Sequence, residues 1–270
     1  MRLTIEGPYN PTGVSENHTR KQIFTCRPTS LAEEVPCAKK ILTQLASKAY
    51  GRQASENDID DLLKFYSMGA EDGGFEIGVR YALEAVLSSP HFLLRMEHEP
   101  TGIAPGDVYT LDDMALAKRL SFFIWGTNPD AELLRLANQG KLSRNRVLKA
   151  QVQRMLADPR SEALATRFAS LWLRLQDLEK VEPDSFWFPN YSQQLMSAMR
   201  RETELFFYSL VREDRSILEL YNADYSFINQ RLAEHYGIPN VLGEEFRRVE
   251  YNNGQRRGIL GHGSILVQTS

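Results

Sequence analysis

Glu202, His235 and His262 are the side chains through which this 270-residue chain could move protons, and Cys26 and Cys37 are its only thiols. A carboxylate and an imidazole that share a cleft can act as general acid and base, so the question is whether the fold gathers these three. In "NQRLAEHYGI", His235 shares a stripe at helical spacing with Tyr225, Ile228, Leu232 and Tyr236, which turns its ring toward the interior. The expectation is a core histidine whose ring nitrogens are satisfied by backbone or tyrosine hydroxyl groups. Glu202 borders the apolar face defined by Leu195, Met199, Thr203, Phe206, Phe207 and Leu210, while Glu204 points further outward. An arginine partner, Arg119 or Arg200, is expected for Glu202. His262 and Ser264 stand in the glycine-rich "RRGILGHGSIL". Neither G-x-S-x-G nor G-x-G-x-x-G is present there, so Gly261 and Gly263 are read as a tight turn or a close helix contact.

Metal and haem chemistry find little support. A di-iron bundle needs Glu-x-x-His pairs, and none occurs. A structural zinc needs four ligands, against two cysteines and five histidines with no H-x3-5-H pair. Covalent haem needs thiols two residues apart followed by histidine, which Cys26 and Cys37 do not provide. His91 and His98, with Met96 between them, read as surface residues. The spacing of Cys26 and Cys37 leaves two alternatives open: a disulfide that folds the Pro28 loop back on the next helix, or two free thiols. Trp125, Trp172 and Trp187 are expected in the core rather than as a sugar platform, together with Phe168, Phe206 and Ile228.

The elements that must position these residues are helices. Pro36 can open a helix with Ile41, Leu42, Leu45 and Ala49 on one face, stopped by Gly51. Ser55 with Asp58 makes a capping box for the next helix, and "GFEIGVRYALEAVLSSP" supplies a third. The Pro/Gly-rich segment 97–109 marks a boundary. Beyond it, Thr110 with Asp113, Asn128-Pro129, Ser143 and Asp158-Pro159 read as successive helix starts. The last of these opens one helix through "RSEALATRFASLWLRLQDLE", and further helices are expected near Ser192 to Arg212 and Ser226 to Tyr236. The fold class is all-α, a multi-helix bundle in two units. A strand at Arg2 to Glu6 precedes it and "FRRVEY" is a candidate second strand.

A net charge of -3, from 32 basic and 35 acidic residues, gives no electrostatic case for nucleic acid or an anionic membrane. No apolar run is long enough to span a bilayer. "MRLTIEGPYNPTG" lacks the regions of a signal peptide. The chain therefore reads as an excerpt of a larger protein. Residues 1–22 would end an upstream β-rich domain, 23–98 form a three-helix domain, 105–250 the main helical domain, and 254–270 the start of another.

The motifs "CRPTSLAEEVPCAKKILTQLASKAYGR", "GGFEIGVRYALEAVLSSPHFLLRME", "LAKRLSFFIWGTNPDAELLRLANQGKL", "VQRMLADPRSEAL", "MRRETELFF", "ADYSFINQRLAEHYGI" and "RRGILGHGSILVQTS" occur in one order. In them the chain resembles the cytochrome-like secreted proteins first described in planctomycetes and common in acidobacteria, which carry domains of unknown function 1595, 1592 and 1588. The resemblance implies export to an extracytoplasmic compartment and hence a Cys26–Cys37 disulfide. It also implies neighbouring domains of the same polypeptide, including a c-type haem domain, with no haem or metal held by this segment. The reading that follows is a non-catalytic helical scaffold, indirectly associated with electron transfer. The alternative is an extracytoplasmic enzyme, oxidative or hydrolytic, acting on polysaccharide through Glu202, His235 and His262.

Overall fold

Apolar residues at helical spacing, punctuated by polar caps, build an all-α chain with one two-stranded sheet among the described residues. The computed structural model describes residues 7, 9, 16–95, 97, 100–104, 106–251, 254 and 256–269. The expected strand at residues 2–6 and the side chains of Met96 and His98 lie outside the described residues. The chain separates into two compact units, Met1–Tyr109 and Thr110–Ser270.

The first unit holds α1 (His18–Ile23), α2 (Leu31–Tyr50), α3 (Glu56–Gly73), α4 (Phe75–Ser88) and the short α5 (Pro90–Leu93). α2 begins well before Pro36, after Ser30, so the proline sits inside the helix. Its missing N–H leaves the Ala32 carbonyl without a helical donor. Burial of Cys37, Ala38, Ile41 and Leu42 immediately after it offsets that loss. Gly51 closes α2 in the left-handed conformation. Ser55 and Asp58 form the reciprocal capping box of α3. Hydrogen bonds from Arg52 to Asp58, 2.6 and 3.1 Å, hold that carboxyl well below the usual carboxylate range. Cys26 and Cys37 are bridged, with Cα atoms 5.6 Å apart, which ties the loop before α2 to the helix itself.

α3 and α4 meet backbone to backbone. A Cβ on Gly69 would lie 2.8 Å from the Ile77 carbonyl oxygen, and one on Gly78 would lie 2.7 Å from both the carbonyl oxygen and the ring of Tyr66. Tyr66 is itself buried, so the ring has nowhere to retreat.

The second unit runs through α6 (Asp113–Ile124), α7 (Ala131–Asn138) and α8 (Asn145–Ala157). Three expected starts shift by a residue or two. Asp112 caps α6, releasing Asp113 to accept from the backbone N–H groups of Leu142 and Ser143. Asp130 caps α7, and α8 follows Arg144 with no side-chain cap. The long helix expected after Asp158-Pro159 is broken. A 3-10 turn at Pro159–Glu162 leads to a π-helical turn at Leu164–Ala169, then α9 (Ser170–Trp172) and a 3-10 stretch at Leu175–Lys180.

After a loop come α10 (Gln193–Arg212), α11 (Glu219–Asn222), β1 (Tyr225–Ile228), α12 (Gln230–Tyr236), β2 (Arg247–Glu250), a 3-10 turn at Ile259–Gly261 and α13 (Gly263–Thr269). The helix expected from Ser226 is thus a strand first. Tyr225 to Ile228 pair antiparallel with Glu250 to Arg247, and Asn229 then caps α12 through its bond from the Leu232 N–H. Residues 254–270 fall in this unit, where α13 packs on α10. Leu133, Leu142, Met155 and Trp125 form one part of the core, and Leu195, Met199, Ile228 and Leu232 another.

Replacing Gly78 by alanine tests the α3–α4 contact by its sign. Helix propensity alone would make the change stabilising by about 1 kcal/mol. The contact with Tyr66 makes it destabilising by about 1–3 kcal/mol, read as a lower midpoint in urea unfolding of the chain.

Candidate functional site

α10 carries the site because its buried face holds polar side chains as well as apolar ones. Glu202 is 0 % exposed, at the centre of the helix between Met199 and Phe206. Among the described residues no arginine is within ion-pair distance of it, contrary to expectation, although the Arg256 charge also favours its ionised form. Its Oε2 accepts from the Tyr236 hydroxyl at 2.6 Å, and its Oε1 accepts from Ser226 Oγ at 2.8 Å and the Tyr251 hydroxyl at 3.3 Å. The arginines go instead to Glu204, which is buried rather than outward. Arg200 Nε donates to it at 3.0 Å, Arg201 Nη1 at 3.4 Å and Ser170 Oγ at 3.1 Å.

His262 lies on the other side of Ser226. Its ring is 1 % exposed, with Nε2 3.3 Å from Ser226 Oγ and Nδ1 2.9 Å from Thr203 Oγ1. Thr203 Oγ1 is in turn 2.7 Å from Ser264 Oγ. Around an ionised Glu202 one proton order satisfies every member. Ser226 gives its proton to Glu202, so Nε2 of His262 carries the ring proton and donates to Ser226; Nδ1 accepts from Thr203, which accepts from Ser264. The Gly263 N–H donates to the Tyr236 hydroxyl at 2.8 Å and closes the group. Gly263 is required for this approach, since a Cβ there would lie 2.9 Å from the Tyr236 oxygen and 3.0 Å from Met199 Cε. The expected close packing is therefore present at this glycine.

Burial sets the electrostatics. Desolvation pushes the Glu202 carboxyl up to about 7 against the pull of its three hydroxyl donors. Desolvation, helped by the Arg256 charge, pushes His262 down to about 3, so the imidazole is neutral at ordinary pH. Burial and the Glu202 charge raise the Tyr236 and Tyr251 hydroxyls, which remain protonated donors.

The structure brings Glu202 and His262 together through Ser226 and leaves His235 out. His235 is exposed, in contrast to the expected core position, and none of its ring atoms bonds to the network. Its neighbour Tyr236 takes the inward place. His235 lines a separate groove of about 700 Å³, with the residue 181–191 loop on one side and Leu195, Met199, Leu266 and Val267 on the other. Trp187 in that groove is 73 % exposed, and Trp172, beside a second groove of about 470 Å³, is 54 % exposed. Both depart from the expected core placement, as does the exposed Phe168, whereas Trp125, Phe206 and Ile228 are buried. His91 is exposed and lies against Tyr50 in a tilted ring contact, with centroids 5.4 Å apart and planes at 55°. Among the described residues, no cluster of three or more His, Cys, Asp or Glu side chains is arranged to hold a metal ion. No helix among them is long and apolar enough to cross a membrane.

Two helical units, the second closed by a buried polar network, define the architecture. Residues 37–97 match the family described as PSD5, Protein of unknown function (DUF1595), and residues 111–238 match PSD4, Protein of unknown function (DUF1592). The two matches lie in tandem along the chain. No curated protein and no solved structure matches it.

The pH dependence of folding follows from the two shifts. His262, depressed, contributes stability that is full above its unfolded value of 6.5 and is lost as pH falls toward about 3. Glu202, raised, contributes stability that is full below 4.5 and is lost as pH rises through about 7. Between 4.5 and 6.5 the two slopes oppose each other and cancel, leaving a plateau. Urea unfolding across pH 3.5–8 is expected to show it; His262→Asn should flatten the acid limb and Glu202→Gln the limb between 6.5 and 7.

Proposed function

We propose that the chain is a non-catalytic helical scaffold of an exported multidomain protein of the cytochrome-like type it resembles. On this reading it holds neighbouring domains of its own polypeptide and takes part only indirectly in electron transfer. Residues 254–270 then belong to the junction with a following 1588-like domain. The observation that carries the reading is the closure of the Glu202–Ser226–His262 network. Its acid, base and hydroxyls are buried and bonded to one another, so a substrate has no access to any of them. The order of groups points the same way. Ser226 stands between carboxylate and imidazole, whereas a hydrolytic triad places the imidazole between carboxylate and nucleophile. The Cys26–Cys37 bridge supports an oxidising, extracytoplasmic location.

The scaffold reading expects His262→Gln and Glu202→Gln to act on stability. Each leaves a buried partner unsatisfied at a cost of about 1–3 kcal/mol, which lowers the melting temperature by roughly 2–4 °C per kcal/mol. Incubation of the chain with soluble polysaccharides is expected to release no reducing ends or oxidised sugars. Product formation that disappears in a Glu202→Gln variant of unchanged melting temperature would establish the enzymatic alternative. Alkylation of thiols in intact cells of the native host is expected to leave Cys26 and Cys37 unlabelled, and labelling would place the chain in a reducing compartment.

A further inference from the structure

The groove beside α10 has features that a scaffold does not need. Its loop is built by turns rather than left loose: the Asp184 carboxylate accepts from the Phe186 N–H at 2.8 Å, and the Asp184 carbonyl accepts from the N–H groups of Trp187 and Phe188 at 3.1 and 2.8 Å. Arg231 holds the far end through Ser192 Oγ at 3.1 Å. The turn fixes Trp187 against Phe186, ring centroids 5.1 Å apart at 90°, and leaves the indole largely in water. A large, ordered, solvent-facing aromatic at the mouth of a concavity marks a binding surface.

The second observation is at Tyr191. Tyr191 lines the groove, and its hydroxyl oxygen, buried at the edge, has no hydrogen-bond partner among the described residues. Such a group calls for an explanation, since native structures rarely leave one unpaired. The side chains of Glu182, Asn190 and His235 stand exposed along the same groove and make no hydrogen bond to the protein among the described residues. A pyranose fits this pattern of one flat apolar platform with hydroxyl-seeking groups at its edge: its C–H face covers an indole while its hydroxyls reach the polar groups. An acyl chain would cover Trp187 but leave the Tyr191 hydroxyl still unpaired. The groove also adjoins another at Val181, which lines both, and the second contains Trp172. α13 contributes to both, through Leu266 and Val267 to one and Ile265 and Gln268 to the other. Exposed indoles in adjoining grooves suit a polymer of repeating rings better than a single sugar.

We infer that the groove formed by residues 181–191, α10 and α13 binds a carbohydrate chain, with one ring stacked on Trp187 and a hydroxyl bonded to Tyr191. Binding requires no reaction, so the inference stands apart from the scaffold reading and goes beyond it.

Native electrophoresis of the chain in gels containing soluble xylan, mixed-linkage β-glucan, mannan or pectin provides the test. Retardation is expected in at least one gel, with Kd raised about tenfold or more by Trp187→Ala and several-fold by Tyr191→Phe. Both variants should melt at the wild-type temperature, because Trp187 is exposed and the hydroxyl removed from Tyr191 has no partner to lose. Phe65→Ala, an exposed aromatic of the first unit, should leave binding unchanged. Absence of retardation in all four gels would overturn the inference, as would retardation that survives either Trp187→Ala or Tyr191→Phe. Fluorescence titration with decaproline adds a further arm, since saturable binding there without retardation would assign the groove to a proline-rich peptide instead.

Discussion

The second unit is organised by the need to satisfy a carboxylate inside its core. Glu202 sits where the periodicity of α10 would otherwise put an apolar side chain, and an unpaired carboxylate there would be prohibitive. Its partners come from β1, α12 and the residue after β2, while His262 and Ser264 extend the group to the start of α13. None of these segments is long enough to be stable alone: α12 and α13 each have seven residues and the strands four. The carboxylate therefore gives a common destination to pieces of chain that local propensity would leave frayed.

How much of this was legible in the sequence depends on the range of the interaction that decides each element. α10 could be read almost residue for residue, because Ser192 and the spacing Leu195, Met199, Phe206, Leu210 are local signals. The same holds for the Ser55–Asp58 capping box. β1 could not, since its state is fixed by pairing with residues 247–250, while Tyr225, Ile228 and Leu232 happen to fall at helical spacing. That coincidence misplaced the histidine. With Ile228 in a strand and the helix starting at Gln230, the stripe begins from a different residue, and Tyr236 rather than His235 turns inward. Tyr251 had no signal at all, as a single tyrosine near a strand end carries no period. Ser226 was equally silent, being a small polar residue that looks like ordinary surface until its partner is known, whereas Thr203 was placed on the inner face of α10 by its spacing alone.

The interior and the exterior of this unit divide their chemistry in an unusual way. Titratable groups of the kind associated with catalysis are sealed in the core, while several large aromatics, among them Phe168, Trp172 and Trp187, stand in water. Met199 connects the two regions: it lines the outer groove and also packs against Gly263, whose N–H belongs to the polar network. A rigid, internally satisfied core is the natural support for such a surface, because the groove walls inherit the fixed positions of α10 and α13.

The π-helical turn at Leu164–Ala169 has a consequence for how this surface arises. A π turn accommodates one more residue than an α turn, and each residue of an α-helix advances the azimuth by about 100°. Trp172, immediately downstream, therefore owes its direction to a residue count rather than to its identity. Loss of a single residue upstream would swing the indole by roughly a quarter turn, leaving the composition of the segment nearly the same. Length variation within a helix can in this way relocate an aromatic side chain between interior and surface without any substitution.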